Sequence, residues 1–390
     1  MSDDDKPRGE PAVKAKLPNA KNIRSPEFTP HGISGGRSGG QPLKPSAKPS
    51  GLTAAQAKKR RNIAIVVAVV AVLAIAGGTT WYVTRPAPKV EVTGAFGSAP
   101  KVKIPGAVTP GKALKVTEPV TGTGPKIGAN TLALLHYEIY KWTPKGGDKS
   151  DKKGSTSKKV LDTREKSELN PQPGPQLLPV DKLQVKGLKN GLTNKAEGSR
   201  VVLQIPPDQS FDPQSAQQFG LAEGDSVVFV ADVLKVIPTN AEATGAEQKL
   251  TDKNLPTVEP QKGKAPKVTI PKVDPPKTMQ VKTLIQGTGP ATTKDDTAVV
   301  NYVGQIWGTG KQFDSSWEKG APAAFPLADP PPGAMPGFFK GLRDLKVGSR
   351  VMLILPPNDG YGKTGNPQAG IKGTDTVVFV VDILGAAKTG

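Results

Sequence analysis

Thr297 to Ser316 reads TAVVNYVGQIWGTGKQFDSS, and the alternation of its apolar residues decides the fold. Ala298, Val300 and Tyr302 fall on one face of a strand, and Val299, Asn301 and Val303 on the other. Gly308-Thr309-Gly310 reverses the chain. Phe313 begins a second strand, followed at once by Asp314 and the turn formers Ser315 and Ser316. A tyrosine, a phenylalanine and a carboxylate thus meet at the rim of one small sheet. That combination suits an apolar pocket with one polar anchor.

Working outward, the chain repeats itself. PKVKIP at 100–105 recurs as PKVTIP at 266–271, and GTGP at 122–125 recurs at 287–290. LHY at 135–137 aligns with VNY at 300–302, an offset of 165 residues. GSRVVLQIPPDQSF from Gly198 aligns with GSRVMLILPPNDGY from Gly348, and DSVVFVADVL from Asp225 with DTVVFVVDIL from Asp375, both at an offset of 150. The first copy therefore carries 15 extra residues, most of them in the polar, Gly-rich KWTPKGGDKSDKKGSTSKK at 141–159. This is expected as a solvated loop between two strands. Each copy reads as short strands, one brief helix and further strands, an α+β domain with an antiparallel sheet. In the second copy the helix is expected near Met335–Leu345, with strands at Arg350–Leu355 and Thr376–Leu384. Val351, Leu353 and Leu355, and Val377, Phe379, Val381 and Ile383, would face the core.

The 390 residues include 40 Pro and 44 Gly, more than a fifth of the chain, which fits domains joined by extended linkers. The absence of Cys excludes disulfides, thiol nucleophiles and zinc-cysteine sites. His31 and His136 are too few for a histidine metal cluster, and no cofactor is implied. His136 should alternate outward beside Tyr137, and no role attaches to it. The formal charge of +19 raises nucleic-acid binding, but the lysines are scattered among prolines with few aromatics between them, so no nucleic-acid partner is expected.

Residues 1–61 read as a disordered basic tail, ending in Lys58-Lys59-Arg60-Arg61. The apolar run IAIVVAVVAVLAIAGGTTWYV, Ile63 to Val83, follows directly. As a helix it spans roughly 30 Å, the thickness of a bilayer core. Trp81 and Tyr82 suit an interfacial belt, and the basic cluster argues for a cytoplasmic N-terminus. A cleavable signal peptide would need an n-region of about 60 residues, against roughly 15–30 for a whole signal. We therefore expect a transmembrane helix over 62–84. After it come a Pro-rich spacer at 85–98, one domain at 99–238, a linker at 239–264 and a second domain at 265–390.

The second copy resembles the FK506-binding-protein type of peptidyl-prolyl isomerase. The matching stretches are VVNYVG, KQFDSSW, GFFKGLRDLKVGSRVMLILPPNDGYG and DTVVFVVDIL, which with their spacing cover nearly all of residues 278–386. The tandem, anchored arrangement resembles exported foldases of high-GC Gram-positive bacteria. The resemblance implies a twisted sheet wrapped around one short helix, with rotation about Xaa-Pro bonds as its activity. Tyr302, Phe313 and Asp314 match the family's pocket residues. Met335 matches the apolar residue before the helix, whose N–H binds a ligand carbonyl. Phe338 stands where a tryptophan usually floors the pocket, Tyr361 matches the rim tyrosine, and Ile371 and Phe379 match wall positions.

Departures are Phe338 itself, Asn366 where many members have histidine, and Ala323 at a usually aromatic wall position, with Phe325 two residues on. In the first copy Tyr137, Asp162 and Phe229 remain, while Leu161, Leu188 and Phe211 replace pocket residues. The implied partners are Xaa-Pro segments of unfolded or exported proteins, FK506-like macrolides, and the membrane through one helix. Three functions compete: a membrane-tethered foldase acting outside the cytoplasm, a chaperone-like peptide-binding module without turnover, and a structural envelope tether, which would explain the linkers but not the retained pocket.

Overall fold

The computed structural model describes residues 88–145, 154–330 and 334–390. Among them no helix is long and apolar enough to cross a membrane. The tail at 1–61 and the expected transmembrane run at 62–84 lie outside the described residues, as does the middle of the 141–159 loop.

A hairpin opens the described chain, β1 (Glu91–Thr93) against β2 (Lys101–Lys103). The first sheet follows with β3 (Lys115–Val120), β4 (Thr131–Thr143), β5 (Thr156–Asp162), β6 (Gln176–Leu178), helix α1 (Lys186–Leu192), β7 (Arg200–Ile205), α2 (Pro213–Gln218) and β8 (Ser226–Pro238). Its order is β3-β7-β8-β4-β5, with β6 also on β4. Then come β9 (Ala246–Glu247) and a second hairpin, β10 (Thr257–Glu259) against β11 (Lys267–Thr269). The second sheet adds β12 (Gln280–Gln286), β13 (Asp296–Ile306), β14 (Gln312–Ser315), β15 (Ala323–Pro326), α3 (Pro336–Gly341), β16 (Arg350–Leu355) and β17 (Val377–Lys388). Its order is β14-β13-β17-β16-β12-β9, with β15 also on β13. Apart from β9, the two sheets share one topology, and every pairing is antiparallel.

The expected alternation holds in the second sheet. Val351, Leu353, Leu355, Val377, Phe379, Val381 and Ile383 pack on one core with Ala298, Val300, Tyr302, the helix residue Phe338 and Leu342 just after the helix. The helix is shorter than the Met335–Leu345 expected, because i→i+3 bonds tighten its end and Asp344 turns left-handed at φ 60°. Strand β17 runs further than Leu384, because Gly385 to Lys388 still pair with Asp296 to Val299.

The segments expected as spacer and linker are structured. β1 falls in the 85–98 spacer, and β9 and β10 fall in the 239–264 linker. The alternation explains why. Met352, Ile354, Val378 and Val380 point to the outer face, which would leave an apolar surface in water. Val258, Val268, Ile270 and the buried Leu255 cover that face together with Trp307 and Trp317. In the first copy Val90, Val92, Val102 and Ile104 cover Trp142, Val202, Val228 and Val230 in the same way. The two hairpins share a register, Val92 opposite Val102 and Val258 opposite Val268, so the repeat includes them. The sheets meet through Leu134 and Ile237 of one and Val299, Leu384 and Ala387 of the other.

If residues 239–264 cover an outer core rather than merely link, Leu255→Ala should lower the stability of the second domain by about 2–4 kcal/mol, as a buried Leu→Ala change does. Urea unfolding reads this directly, and an unchanged midpoint would return the segment to the status of a linker.

Candidate functional site

On the inner face of the second sheet the short helix stands Phe338 upright among aromatic rings. Phe338 is buried, with its ring centroid 5.1 Å from Phe379, 5.2 Å from Phe325 and 6.2 Å from Tyr302, all steeply tilted. Phe313 lies edge-on to Phe379 at 5.4 Å and to Tyr361 at 6.3 Å. Edge-to-face packing of this kind is favoured by the ring quadrupoles. It needs one residue that the sequence reading passed over. A Cβ on Gly304 would lie 2.7 Å from Phe313 Cζ and 2.8 Å from Phe379 Cε1, so only glycine lets the two rings close over the strand.

The polar anchor is an arrangement of three groups. The Tyr302 hydroxyl donates to Asp314 Oδ2 at 2.8 Å, and Lys319 Nζ reaches Asp314 Oδ1 at 2.6 Å and the Tyr302 oxygen at 3.1 Å. Burial pushes the Tyr302 phenol above its ordinary value, and the bond to Asp314 pushes the Lys319 ammonium up. Both shifts move titration away from neutrality. Lys319 was missed because an exposed lysine after a turn carries no sequence signal; only its 2.6 Å contact with Asp314 distinguishes it.

The remaining expected residues gather on the same rim. Met335 sits just before α3 in extended backbone (φ −79°, ψ 99°) and packs on the core. Ile371 is buried, and Tyr361 is partly buried with its phenol pushed up by burial. Asn366 holds the Ile371 loop: its backbone pairs with Ile371, and its side chain accepts from Ala369 N. Ala323 leaves space that Phe325 fills, since Phe325 contacts both Tyr302 and Phe338.

The first copy corrects the sequence reading. Aligning Asp162 with Asp314 is wrong by one residue. Tyr137 N donates to Thr163 Oγ1 as Tyr302 N donates to Ser316 Oγ, so Thr163 matches Ser316 and Asp162 matches Ser315. Leu161 therefore stands where Asp314 does, opposite Ile139, which stands at Gly304. A one-residue step turns a side chain to the other face of a strand. Asp162 accordingly points outward and salt-bridges Lys159 at 3.0 Å. Ile139, Leu161 and Leu188 are buried in one apolar core, where Tyr137 stacks on Phe229 at 5.0 Å. The space that is aromatic-walled in the second copy is filled with aliphatic side chains in the first. His136 does turn away from Tyr137, but it is buried rather than solvated: Nδ1 meets Thr163 Oγ1 at 3.0 Å.

The second copy is similar in sequence to known proteins. Residues 289–384 match the family model described as FKBP-type peptidyl-prolyl cis-trans isomerase. An FK506-binding protein of Streptomyces anulatus is 35% identical over 122 residues, which cover 30% of this chain and 94% of that protein. The FKBP-type peptidyl-prolyl cis-trans isomerase FkpA of Escherichia coli is 42% identical over 98 residues, 25% of this chain but only 34% of its own length. A crystal structure of FkpA from Escherichia coli is 37% identical, covering 29% of this chain and 49% of that one, with a TM-score of 0.26.

The first copy also predicts a pH dependence of stability. Glu138 is buried beside Asp162 and accepts from the Tyr140 hydroxyl at 2.6 Å, and burial pushes its carboxyl up to about 7. Its folded value is raised, so the protonated form is favoured in the fold and the fold loses stability as pH rises through 7. Glu138→Gln should thus stabilise the first domain at pH 8 by on the order of 2–3 kcal/mol, with the gap closing toward pH 4. His136, pushed down to about 4 by burial, loses its contribution between 6.5 and 4, but equally in both proteins. Melting temperatures that differ as much at pH 4 as at pH 8 would contradict this assignment.

Proposed function

The chain belongs to the FKBP-type peptidyl-prolyl cis-trans isomerase family and is an enzyme of that class; from this premise we propose that residues 265–390 are the catalytic domain and 99–238 a degenerate partner that has lost the reaction. The observation that carries the reading is the contrast at one register position: Gly304 beneath Phe313 and Phe379 in the second copy, Ile139 in the first.

The chemistry follows from amide resonance. The planar Xaa-Pro bond has a barrier of roughly 20 kcal/mol because its C–N bond is partly double. The planar form is polar, and water stabilises it. The twisted transition state is less polar across C–N, so it loses less on entering a dry aromatic cup. Phe338 is the floor for the proline ring; Tyr302, Phe313, Phe325 and Phe379 are walls; Ile371 and Tyr361 close the rim. Asp314, held by Tyr302 and Lys319, is the polar anchor, and the Met335 N–H is the donor for a substrate carbonyl. No proton needs to move, in keeping with phenol and ammonium groups held above neutrality.

Substrates in this reading are Xaa-Pro segments of unfolded polypeptides, and FK506-like macrolides are competing ligands. The apolar run at Ile63–Val83 behind Lys58-Lys59-Arg60-Arg61 supports a single-pass anchor with both domains outside the cytoplasm. The filled first copy favours a second, subsidiary role as a chaperone-like module without turnover.

Gly304→Ile should reduce kcat/KM on an Xaa-Pro peptide at least tenfold, about 1.4 kcal/mol of transition-state stabilisation. Phe338→Ala should cost more, and Phe338→Trp should preserve the rate. Full activity in Gly304→Ile would place the reaction elsewhere. For topology, protease added to spheroplasts should remove both domains and leave a short membrane fragment; full-length protein recovered from the cytosol would refute the anchor.

A further inference from the structure

The two copies treat the same buried arginine differently. In the first, Arg200 forks onto Asp232, with Nε–Oδ1 at 2.6 Å and Nη2–Oδ2 at 2.7 Å. The turn of the β1–β2 hairpin covers its outer edge. Nη1 donates to Gly94 O at 2.9 Å, and Nη2 donates to Ala95 O at 3.0 Å and to Ser98 O at 2.6 Å. Gly97 N closes the arrangement by donating to Asp232 Oδ2 at 3.0 Å. A turn of the chain thus saturates the guanidinium with backbone carbonyls.

In the second copy Arg350 forks onto Asp382 at 2.6 and 2.7 Å in the same way, and it is 5% exposed. The carbonyls are missing. The turn of the β10–β11 hairpin is engaged elsewhere, with Gly263 N donating to Glu242 Oε1 at 2.6 Å. Ala243 N takes the place of Gly97 N on the aspartate. Among the described residues Arg350 Nη1 has no acceptor within hydrogen-bond distance. The side chain instead lines a cavity of about 310 Å³, walled by Leu250, Leu255, Val258, Leu284 and Ile285. The Nη1 N–H is thus left to face solvent or a ligand in the cavity, where it can donate to an acceptor that enters. This cavity lies on the outer face of the sheet, opposite the aromatic cup, because Arg350 alternates with the inward Val351.

We propose that this cavity is a second polypeptide-binding site, which takes an uncharged apolar segment whose backbone carbonyl accepts from Arg350 Nη1. The first copy supplies the template, since its own chain binds the equivalent arginine through carbonyls. Charge selects against a carboxylate. Asp382 already neutralises Arg350, and the remaining charged lining residues are Glu247, Lys249 and Asp252, one cation against two anions. The apolar walls select a Leu- or Val-rich stretch over a polar one. The site is independent of the reaction on the inner face, and it gives the enzyme a hold on unfolded chain away from the proline.

The test uses the full chain and a fluorescently labelled, proline-free octapeptide, rich in Leu and Val, uncharged, with both ends blocked. Fluorescence anisotropy should show binding, and Leu250→Asp should weaken it at least tenfold while leaving isomerisation of a short Xaa-Pro peptide unchanged. Leu250 is 37% exposed, so the variant should fold. An FK506-like macrolide added to saturation should not displace the octapeptide. The proposal is overturned if the octapeptide does not bind, if Leu250→Asp binds it equally well, or if the macrolide displaces it. Isomerase activity is measured on the same samples, so failure of the isomerase reading shows separately as loss of turnover.

Discussion

Each sheet is held in register by one buried cross-strand ion pair, which Arg164 joins in the first sheet at 3.1 Å from Asp232 Oδ2. Arg350 lies directly opposite Asp382 on adjacent strands, and Arg200 lies opposite Asp232. Both pairs are bidentate and almost without solvent. Such a pair adds little net stability over an apolar equivalent, but separating it leaves an uncompensated charge in the interior, at a cost of about 3–5 kcal/mol. A slip of either strand by one residue would do that. It would also turn Phe379 and Val381 outward and Val378 and Val380 inward. Both faces of the sheet are apolar, so hydrophobic burial alone would distinguish the two registers poorly. The charge pair makes the distinction, and with it fixes which side holds the aromatic cup.

Given that register, the difference between the copies reduces to a few side-chain volumes. Glycine opposite the Phe379 position leaves room for Phe313 to lie across the strand. Isoleucine at the same place fills the room. Leucine for aspartate at the next strand removes the polar anchor, so nothing in the first copy requires the cavity to stay open. A filled cavity is the more stable arrangement, since a void forfeits contacts on one side. The second copy keeps instead an aromatic cluster with the charged Asp314–Lys319 pair at its edge.

Much of this was legible in the sequence, for physical reasons. Alternation placed the inner-face residues of β13, β16 and β17 correctly, because period-two patterning is the direct consequence of the pleat. The motif-matched Tyr302, Phe313, Asp314, Met335, Phe338, Tyr361, Ile371 and Phe379 do come together. What was not legible depended on tertiary context. The hairpins were read as spacer and linker because Pro, Gly and Lys dominate them and each strand is only 3 residues long. Their three-residue strands are useful only against an apolar face supplied by a distant segment. The position of Asp162 depended on where a bulge falls between Ile139 and Tyr140, which residue identity does not reveal. Gly304 reads as a neutral small residue until the two rings around it are known.

The covered outer face bears on the inner one. In the function proposed above the pocket excludes water, so its walls must neither relax inward nor open. Its strands are the walls, and strands exposed on one side bend and fray more readily than strands packed on both. In the second sheet Trp307 is pinned from outside, with its indole N–H donating to Val273 O at 2.8 Å, and it lies one residue beyond Ile306 of the inner core. Val303 on the outside and Tyr302 and Gly304 on the inside belong to the same stretch of β13. Packing on the hairpin therefore restrains the backbone that carries the cup, and the close approach at Gly304 leaves little tolerance for movement. The same hairpin covers the first sheet, whose inner core is packed with aliphatic side chains, which indicates that the hairpin serves the fold first.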